Sequence, residues 1–323
     1  EQWRGRPATC HGLSSPVVAH RLCVSERIVC VGSPRAPHYV AIGHVTVDLD
    51  PMTGTPRLGG TALYAALAAA RFGLDAAILT RGNFEAYGPG ILEDLARFSR
   101  EVAVIVQEST VPTVFTNRSV AGRREQTIHS WAGPIDLSGL PPTWRSAPVI
   151  HFAPVAQEID PRQASRVSPE FLGTTPQGWM RQWPRQGGRV RLIPLRLPLE
   201  FVARVDGFVL STIEHTLARD EIEAIAQRGI VAITRGPEGA TVIDRGRSYD
   251  IPAHPVPVRD DTGAGDVFAA VLFALRARRE PTLWAAKMAA AAAALKVQGV
   301  GPDAVPTREA VEAFLAQRGE QRR

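Results

Sequence analysis

"DDTGAGDVFAA", residues 260–270, decides how the rest of the chain is understood. Two acids lead into Gly263, Ala264 and Gly265, then comes Asp266, and an apolar helical run follows. Glycines just before a helix bring backbone N–H groups together at its positive end, which is an anion site. Asp266, in the first helical turn, adds a negative charge at that same place. The two features are compatible if the carboxylate takes a proton from a hydroxyl while the amides hold the phosphoryl group that the hydroxyl attacks. The competing reading makes Asp266 a helix cap and the glycines a turn. A dinucleotide fingerprint does not fit, because Phe268 replaces the third glycine and the stretch lies near the C-terminus, not after the first strand. A P-loop does not fit either, since neither Lys287 nor Lys296 follows a glycine.

Working outward, "YVAIGHVTVDLD" from Tyr39 is a β-branched run, and "GGTALYAALAAARFG" from Gly59 predicts a small-residue helix between glycines. "DAAILTRGN" predicts a strand, "GPGILEDLARF" a helix and "VAVIVQE" another strand. This alternation implies a mostly parallel sheet covered by helices. Residues 111–131 break the rhythm: two alternating runs flank "AGRR", as in a hairpin standing out from the sheet. "APVIHFAPV", "GRVRLIPL", "VDGFVLS" and "GIVAITRG" resume the strands, and two alanine-rich helices close the chain. No internal repeat or convincing linker divides it.

The 323 residues, 45% of them hydrophobic, suffice for a large core. The formal charge is +5, yet Lys287 and Lys296 are the only lysines, and basic residues do not cluster among aromatics, so no nucleic-acid partner is expected. The alanine-rich run Met288–Leu295 is far short of the roughly 20 residues of a membrane span, so no membrane contact is expected. No signal-peptide pattern opens the chain, and the cytoplasm is the expected compartment. Cys10, Cys23 and Cys30, with His11 and His20 nearby, lack a paired CxxC spacing, so a zinc site is not expected. Regular apolar alternation starts only near Tyr39. Residues 1–37 are therefore expected to be a poorly ordered extension, with the folded domain at 38–323 and a lid hairpin near 111–131.

"DTGAGD" resembles the C-terminal signature of the PfkB, or ribokinase-like, carbohydrate kinases. Four further segments resemble that family in order: "GHVTVD" ending at Asp48, the Gly59–Gly60 pair with its helix, "STIE", and "TRGPEGA". The resemblance spans roughly residues 39–316 and implies a three-layer α/β sandwich with a mostly parallel central sheet and a small, reduced β-lid. It implies an ATP-dependent kinase acting on a hydroxyl of a sugar, cyclitol or nucleoside. In it Asp266 is the general base, and Gly263, Ala264 and Gly265 form the anion hole. Asp48, Gly59 and Gly60 bind substrate, while Ser211, Thr234, Gly236 and Gly239 border the nucleotide. Glu214 organises Mg²⁺ through water, or on the alternative reading caps the helix that follows. Asp260 and Thr262 match positions that hold a monovalent cation such as K⁺ in many members.

Three departures from the family pattern stand out. Tyr64 replaces an asparagine of the helix after the glycine pair, and Ser211 replaces the asparagine of NxxE. Only "PMTGTPRL" separates the Asp48 strand from Gly59, a short excursion that argues against a ribokinase-type dimer clasp and leaves a monomer or a homodimer. In "TTPQGWMRQWPRQGGRV", from Thr174, Trp179 and Trp183 are expected to be packing anchors and Gln177 a loop residue, with the alternative that Gln177 faces substrate. Short-lid relatives such as plant-type myo-inositol kinases carry this kind of segment, so the resemblance leans toward a cyclitol or hexose. The rival function is a catalytically silent binding or regulatory protein, with Tyr64 and Ser211 as its marks.

Overall fold

The computed structural model describes residues 23–25, 28–31, 36–120 and 123–320. In chain order the first strands are β1 (Cys23–Ser25), β2 (Ile28–Val31), β3 (Tyr39–Ile42), β4 (Thr46–Leu49) and β5 (Pro56–Gly59). Helix α1 (Thr61–Arg71), β6 (Ala76–Arg81), α2 (Pro89–Phe98), β7 (Val102–Gln107), β8 (Thr113–Val120) and β9 (Arg123–Ser130) follow. Next are α3 (Pro142–Arg145), β10 (Val149–Phe152), β11 (Phe171–Thr174), and the two-residue strands β12 (Arg181–Gln182), β13 (Gly188–Arg189) and β14 (Arg191–Leu192). The chain continues through α4 (Leu199–Val202), β15 (Gly207–Ser211), α5 (Thr212–His215), α6 (Arg219–Ala226), β16 (Ile230–Thr234), β17 (Ala240–Asp244) and β18 (Arg247–Ile251). Helices α7 (Ala264–Ala277), α8 (Thr282–Lys296) and α9 (Arg308–Ala316) complete it.

The central sheet runs β1-β2-β7-β6-β3-β10-β11-β15-β16-β17-β18. Every neighbouring pair from β7 to β16 is parallel, and the pairs at both margins are antiparallel. Its central strands β3, β6 and β10 are buried on both faces, which is why they appear in the sequence as continuous apolar runs. In β3, Tyr39 and Ala41 join the core under α1, α7, α8 and α9, while Val40 and Ile42 join the opposite core with α3, α4 and α6. Ala76 and Ile78 of β6 divide from Ala77 and Leu79 in the same way. This period of two, shared by adjacent strands, makes the three layers.

The lid is a second sheet, β13-β9-β8-β4-β5. The hairpin expected near 111–131 is present as β8 and β9, and its turn lies outside the described residues. The lid is broader than that hairpin, because the chain leaves the central sheet after Ile42 and spends Thr46–Leu49 pairing in parallel with β8. Asp50 Oδ1 accepts from the Met52 and Thr53 amides, an Asx turn that folds β4 back onto β5 within a few residues. Asp48 therefore lies in a lid strand, one residue before its end.

Another expectation changes. "GRVRLIPL" contributes only β13, in the lid, and β14, paired with β12, because prolines and glycines interrupt it. The sheet position between β10 and β15 is taken by "FLGT", β11, whose Gly173 has no space for a side chain against Phe273. Within residues 1–37, β1 and β2 pair with each other, and β2 pairs along β7 at the sheet margin. Cys23 and Cys30 are register partners there; Cys10, His11 and His20 lie outside the described residues.

Candidate active site

The parallel order turns outward in both directions from β3 and β10, so a crevice opens beyond their carboxyl ends, where ligands of open α/β sheets bind. The first turn of α7 points its chemistry there. Gly263 caps the helix at φ 82°, ψ −2°, a left-handed conformation that glycine adopts without strain. A Cβ on it would also lie 2.5 Å from Cδ1 of the Tyr64 ring. Ala264 N–H donates to the Asp261 carbonyl at 3.2 Å, so this amide of the expected anion hole has a partner within the turn.

Asp266 is met by a residue the sequence placed in a loop. Gln177 lies in a 3₁₀ turn after β11, and its Nε2 donates to Asp266 Oδ1 at 3.3 Å and to Thr61 Oγ1 at the start of α1. Its Oε1 accepts from Arg181 at 2.7 Å, and Arg181 also donates to the Val155 carbonyl at 2.8 Å. Gln177 thus ties the GAGD helix, the helix after the glycine pair and the lid-side strand β12 into one constellation. Trp179 and Trp183 are packing residues as expected: Trp179 stands edge-on to Phe201 with Nε1 on the Ile159 carbonyl, and Trp183 lies against Trp131.

The glycine pair is explained by close approach. A Cβ on Gly59 would fall 2.3 Å from Asp48 Oδ2, and one on Gly60, where φ is 93°, would fall 2.3 Å from the His44 carbonyl. Both glycines make room for the β4 strand and the Asp48 carboxylate, which also accepts from Thr46 Oγ1 at 3.0 Å. Behind them Glu158, fully buried, gathers the amides of His44, Val155 and Ala156 and joins the β3 and β10 ends of the crevice. Nothing local in the sequence distinguishes Glu158 from a solvent-facing acid.

At the other end of the crevice Ser211 and Thr234 are register partners at the ends of β15 and β16. Ser211 and Glu214 form a capping box: Ser211 N and Oγ both donate to Glu214 Oε2, at 2.8 and 2.9 Å. "TRGPEGA" makes the tight connection from β16 to β17, with Gly236 (φ 58°) facing open space and Gly239 (φ 91°) against the Ile251 carbonyl.

Asp260 has no spare oxygen. Its Oδ1 accepts from the Thr262 amide at 2.9 Å, and its Oδ2 accepts from Gly301 N at 2.9 Å and from Lys296 Nζ at 3.1 Å. Its carbonyl accepts from the same Nζ at 3.0 Å. Burial opposes ionisation of this carboxyl, yet these amides and the ammonium hold it below the usual range. Lys296 is fully buried; burial pushes its pKa down while Asp260, Asp261 and Asp266 act to raise it. Burial, with the charge of Asp266 added, keeps the Tyr39 phenol well above its ordinary pKa. Among the described residues no group of three or more His, Cys, Asp or Glu is placed to hold a metal ion. No helix among them is long and apolar enough to cross a membrane.

The fold is the ribokinase-like three-layer α/β fold. Solved structures with the same fold include a pyrophosphate-dependent kinase of the ribokinase family, complexed with a pyrophosphate analogue and myo-inositol. That match has a TM-score of 0.70 at 21% identity over 85% of this chain and 99% of that one. Arabidopsis thaliana ribokinase with ribose and ATP matches at 0.66 and 18% identity, over 87% of this chain and 99% of that one. Residues 199–308, about a third of the chain, match the pfkB family carbohydrate kinase model. Curated relatives include the bifunctional protein HldE of Rhodopseudomonas palustris strain BisB18, 39% identical over 93 residues, 28% of this chain and 19% of that protein. HldE of Caulobacter sp. strain K31 is 39% identical over 106 residues, 30% and 22% respectively. The chain matches only about a fifth of the length of these relatives.

Proposed function

We propose that the chain transfers the γ-phosphoryl group of ATP to a hydroxyl of a sugar, cyclitol or nucleoside, with Asp266 as general base. The observation that carries this is the placement of Asp266. Its carboxylate lies in the first turn of a glycine-capped helix, at the carboxyl edge of a parallel sheet, held by Gln177 on the side of the glycine pair and lid. An acid needed only for capping has no use for a glutamine from another element. The amides at Gly263 and Gly265, with the positive end of α7, offer an anion site for the transferring group.

Asp48 accepts hydrogen bonds from acceptor hydroxyls, with Gly59 and Gly60 keeping the surface beside it clear. Arg181 and Gln177 orient the same molecule. Ser211, Thr234, Gly236 and Gly239 border the nucleotide, because the β15 and β16 ends open at the same sheet edge. Glu214 fits an Mg²⁺ held through water, since the capping box uses its Oε2 and the side chain is only half-buried. When bound, the ion neutralises charge on the phosphates. The lid sheet excludes water as it lies over the acceptor.

Product formation with ATP–Mg²⁺ and a panel of hexoses, cyclitols, pentoses and nucleosides tests this. Pyrophosphate is included as a second donor because a similar structure is of a pyrophosphate-dependent kinase. Turnover on at least one acceptor, slowed by roughly 10²–10⁴-fold in Asp266→Asn, is expected. A chain that binds ATP and acceptor yet never transfers phosphate would be a binding protein.

A further inference from the structure

Asp260 and Thr262 stand where a monovalent cation is held in many ribokinase-like kinases, but their surroundings do not fit one. An alkali ion held at Asp260 would draw on the oxygens of that residue. The Lys296 ammonium already occupies that position, bonded to Oδ2 at 3.1 Å and to the carbonyl at 3.0 Å. The amides of Gly301 and Thr262 bond the same carboxylate, at Oδ2 and Oδ1. A second positive charge a few ångströms from a buried ammonium would be strongly repelled.

Lys296 is suited to this place by its position. It is the last residue of α8, an alanine-rich helix whose small side chains let it lie deep in the core, so its long side chain reaches the 258–263 loop without exposure. A charged residue is fully buried only when paired, and here the partner is the loop that starts the GAGD helix. The Tyr64 ring faces the ammonium at 5.6 Å, within the range of a cation–π contact. The same ring closes over Gly263, the cap of α7. One side chain therefore touches both the internal cation and the start of the anion site. This also gives Tyr64, an aromatic where the family pattern has asparagine, a role.

We infer that the Lys296 ammonium is a built-in monovalent cation, which orders the 260–263 loop and the cap of α7 so that nucleotide binding and phosphoryl transfer need no added K⁺. This rests on the kinase reading, and its test has readouts that do not. ATP–Mg²⁺ affinity and melting temperature are measured in K⁺ and in tetramethylammonium at equal ionic strength, together with turnover on any acceptor found. The native chain is expected to give the same values in both. Lys296→Ala opens a space of suitable size and is expected to bind ATP weakly in tetramethylammonium, recovering on the order of tenfold in K⁺, within the usual range for coupled sites. Lys296→Met, which fills the space without charge, is expected not to recover.

A native chain whose ATP affinity and melting temperature rise in K⁺ alone would overturn the inference even if the variants fail to fold. So would a Lys296→Ala variant that binds ATP normally without K⁺. Absence of turnover with every acceptor would sink the kinase reading, while ATP binding and melting would still judge Lys296.

Discussion

Gly263→Ala perturbs the point where the cap of α7, Tyr64 and the anion site meet. Two independent costs follow from the geometry. Gly263 sits at φ 82°, where a residue with a side chain is strained by about 1–3 kcal/mol. The new methyl would also lie 2.5 Å from Tyr64 Cδ1 and 2.6 Å from Cε1 and Cγ. Tyr64 is only 2% exposed and packed among the alanines of α1, so the overlap is relieved by distortion, at about 1–3 kcal/mol. The sum, about 2–6 kcal/mol, is a large part of the stability of an ordinary domain. Denaturant unfolding of the native chain, each single variant and the Gly263→Ala/Tyr64→Ala pair separates the terms. In the Tyr64→Ala background only the backbone strain remains, so Gly263→Ala should cost about 1–3 kcal/mol less than it does alone. Equal costs in both backgrounds, or a single-variant cost below about 1 kcal/mol, would refute the contact between Tyr64 and the helix cap.

Asp266→Asn keeps size and hydrogen bonding but cannot accept the acceptor's proton, so kcat should fall by roughly 10²–10⁴-fold with ATP affinity kept or improved; normal turnover would make Asp266 a cap. Glu214→Gln preserves the capping box, so a raised Mg²⁺ requirement at unchanged melting temperature would report a metal role, and an unchanged Mg²⁺ titration would leave Glu214 to capping alone. His151 is buried between Tyr39 and Thr175, and burial lowers its pKa from 6.5 to about 3. Its folded pKa is depressed, so the unfolded chain binds the proton first. Stability should thus be lost as pH falls below 6.5 toward 3, by up to about 1.4 kcal/mol per pH unit from this group. His151→Gln should flatten that slope in denaturant midpoints taken across the range, and an unaltered slope would assign the acid sensitivity elsewhere.

The sequence by itself determined the layered α/β plan, a hairpin near 111–131 and the helix that begins at the GAGD stretch. Each is written in short-range signals: apolar runs of strand length, small-residue helices bounded by glycine, and a turn between alternating segments. Gly263 was legible because its backbone need is local. "FLGT" was not, being a four-residue strand without enough length to show a period, recruited by the neighbours on either side. The partners of the site belong to the tertiary structure alone. Gln177 reaches Asp266 across 89 residues and Thr61 across 116, and Lys296 reaches Asp260 across 36. Glu158 meets the His44 amide across 114. Side-chain hydrogen bonds and buried charges are satisfied by proximity in space, which the sheet order sets. A glutamine after a turn and a lysine at a helix end therefore gain their roles only when strands distant in sequence pair.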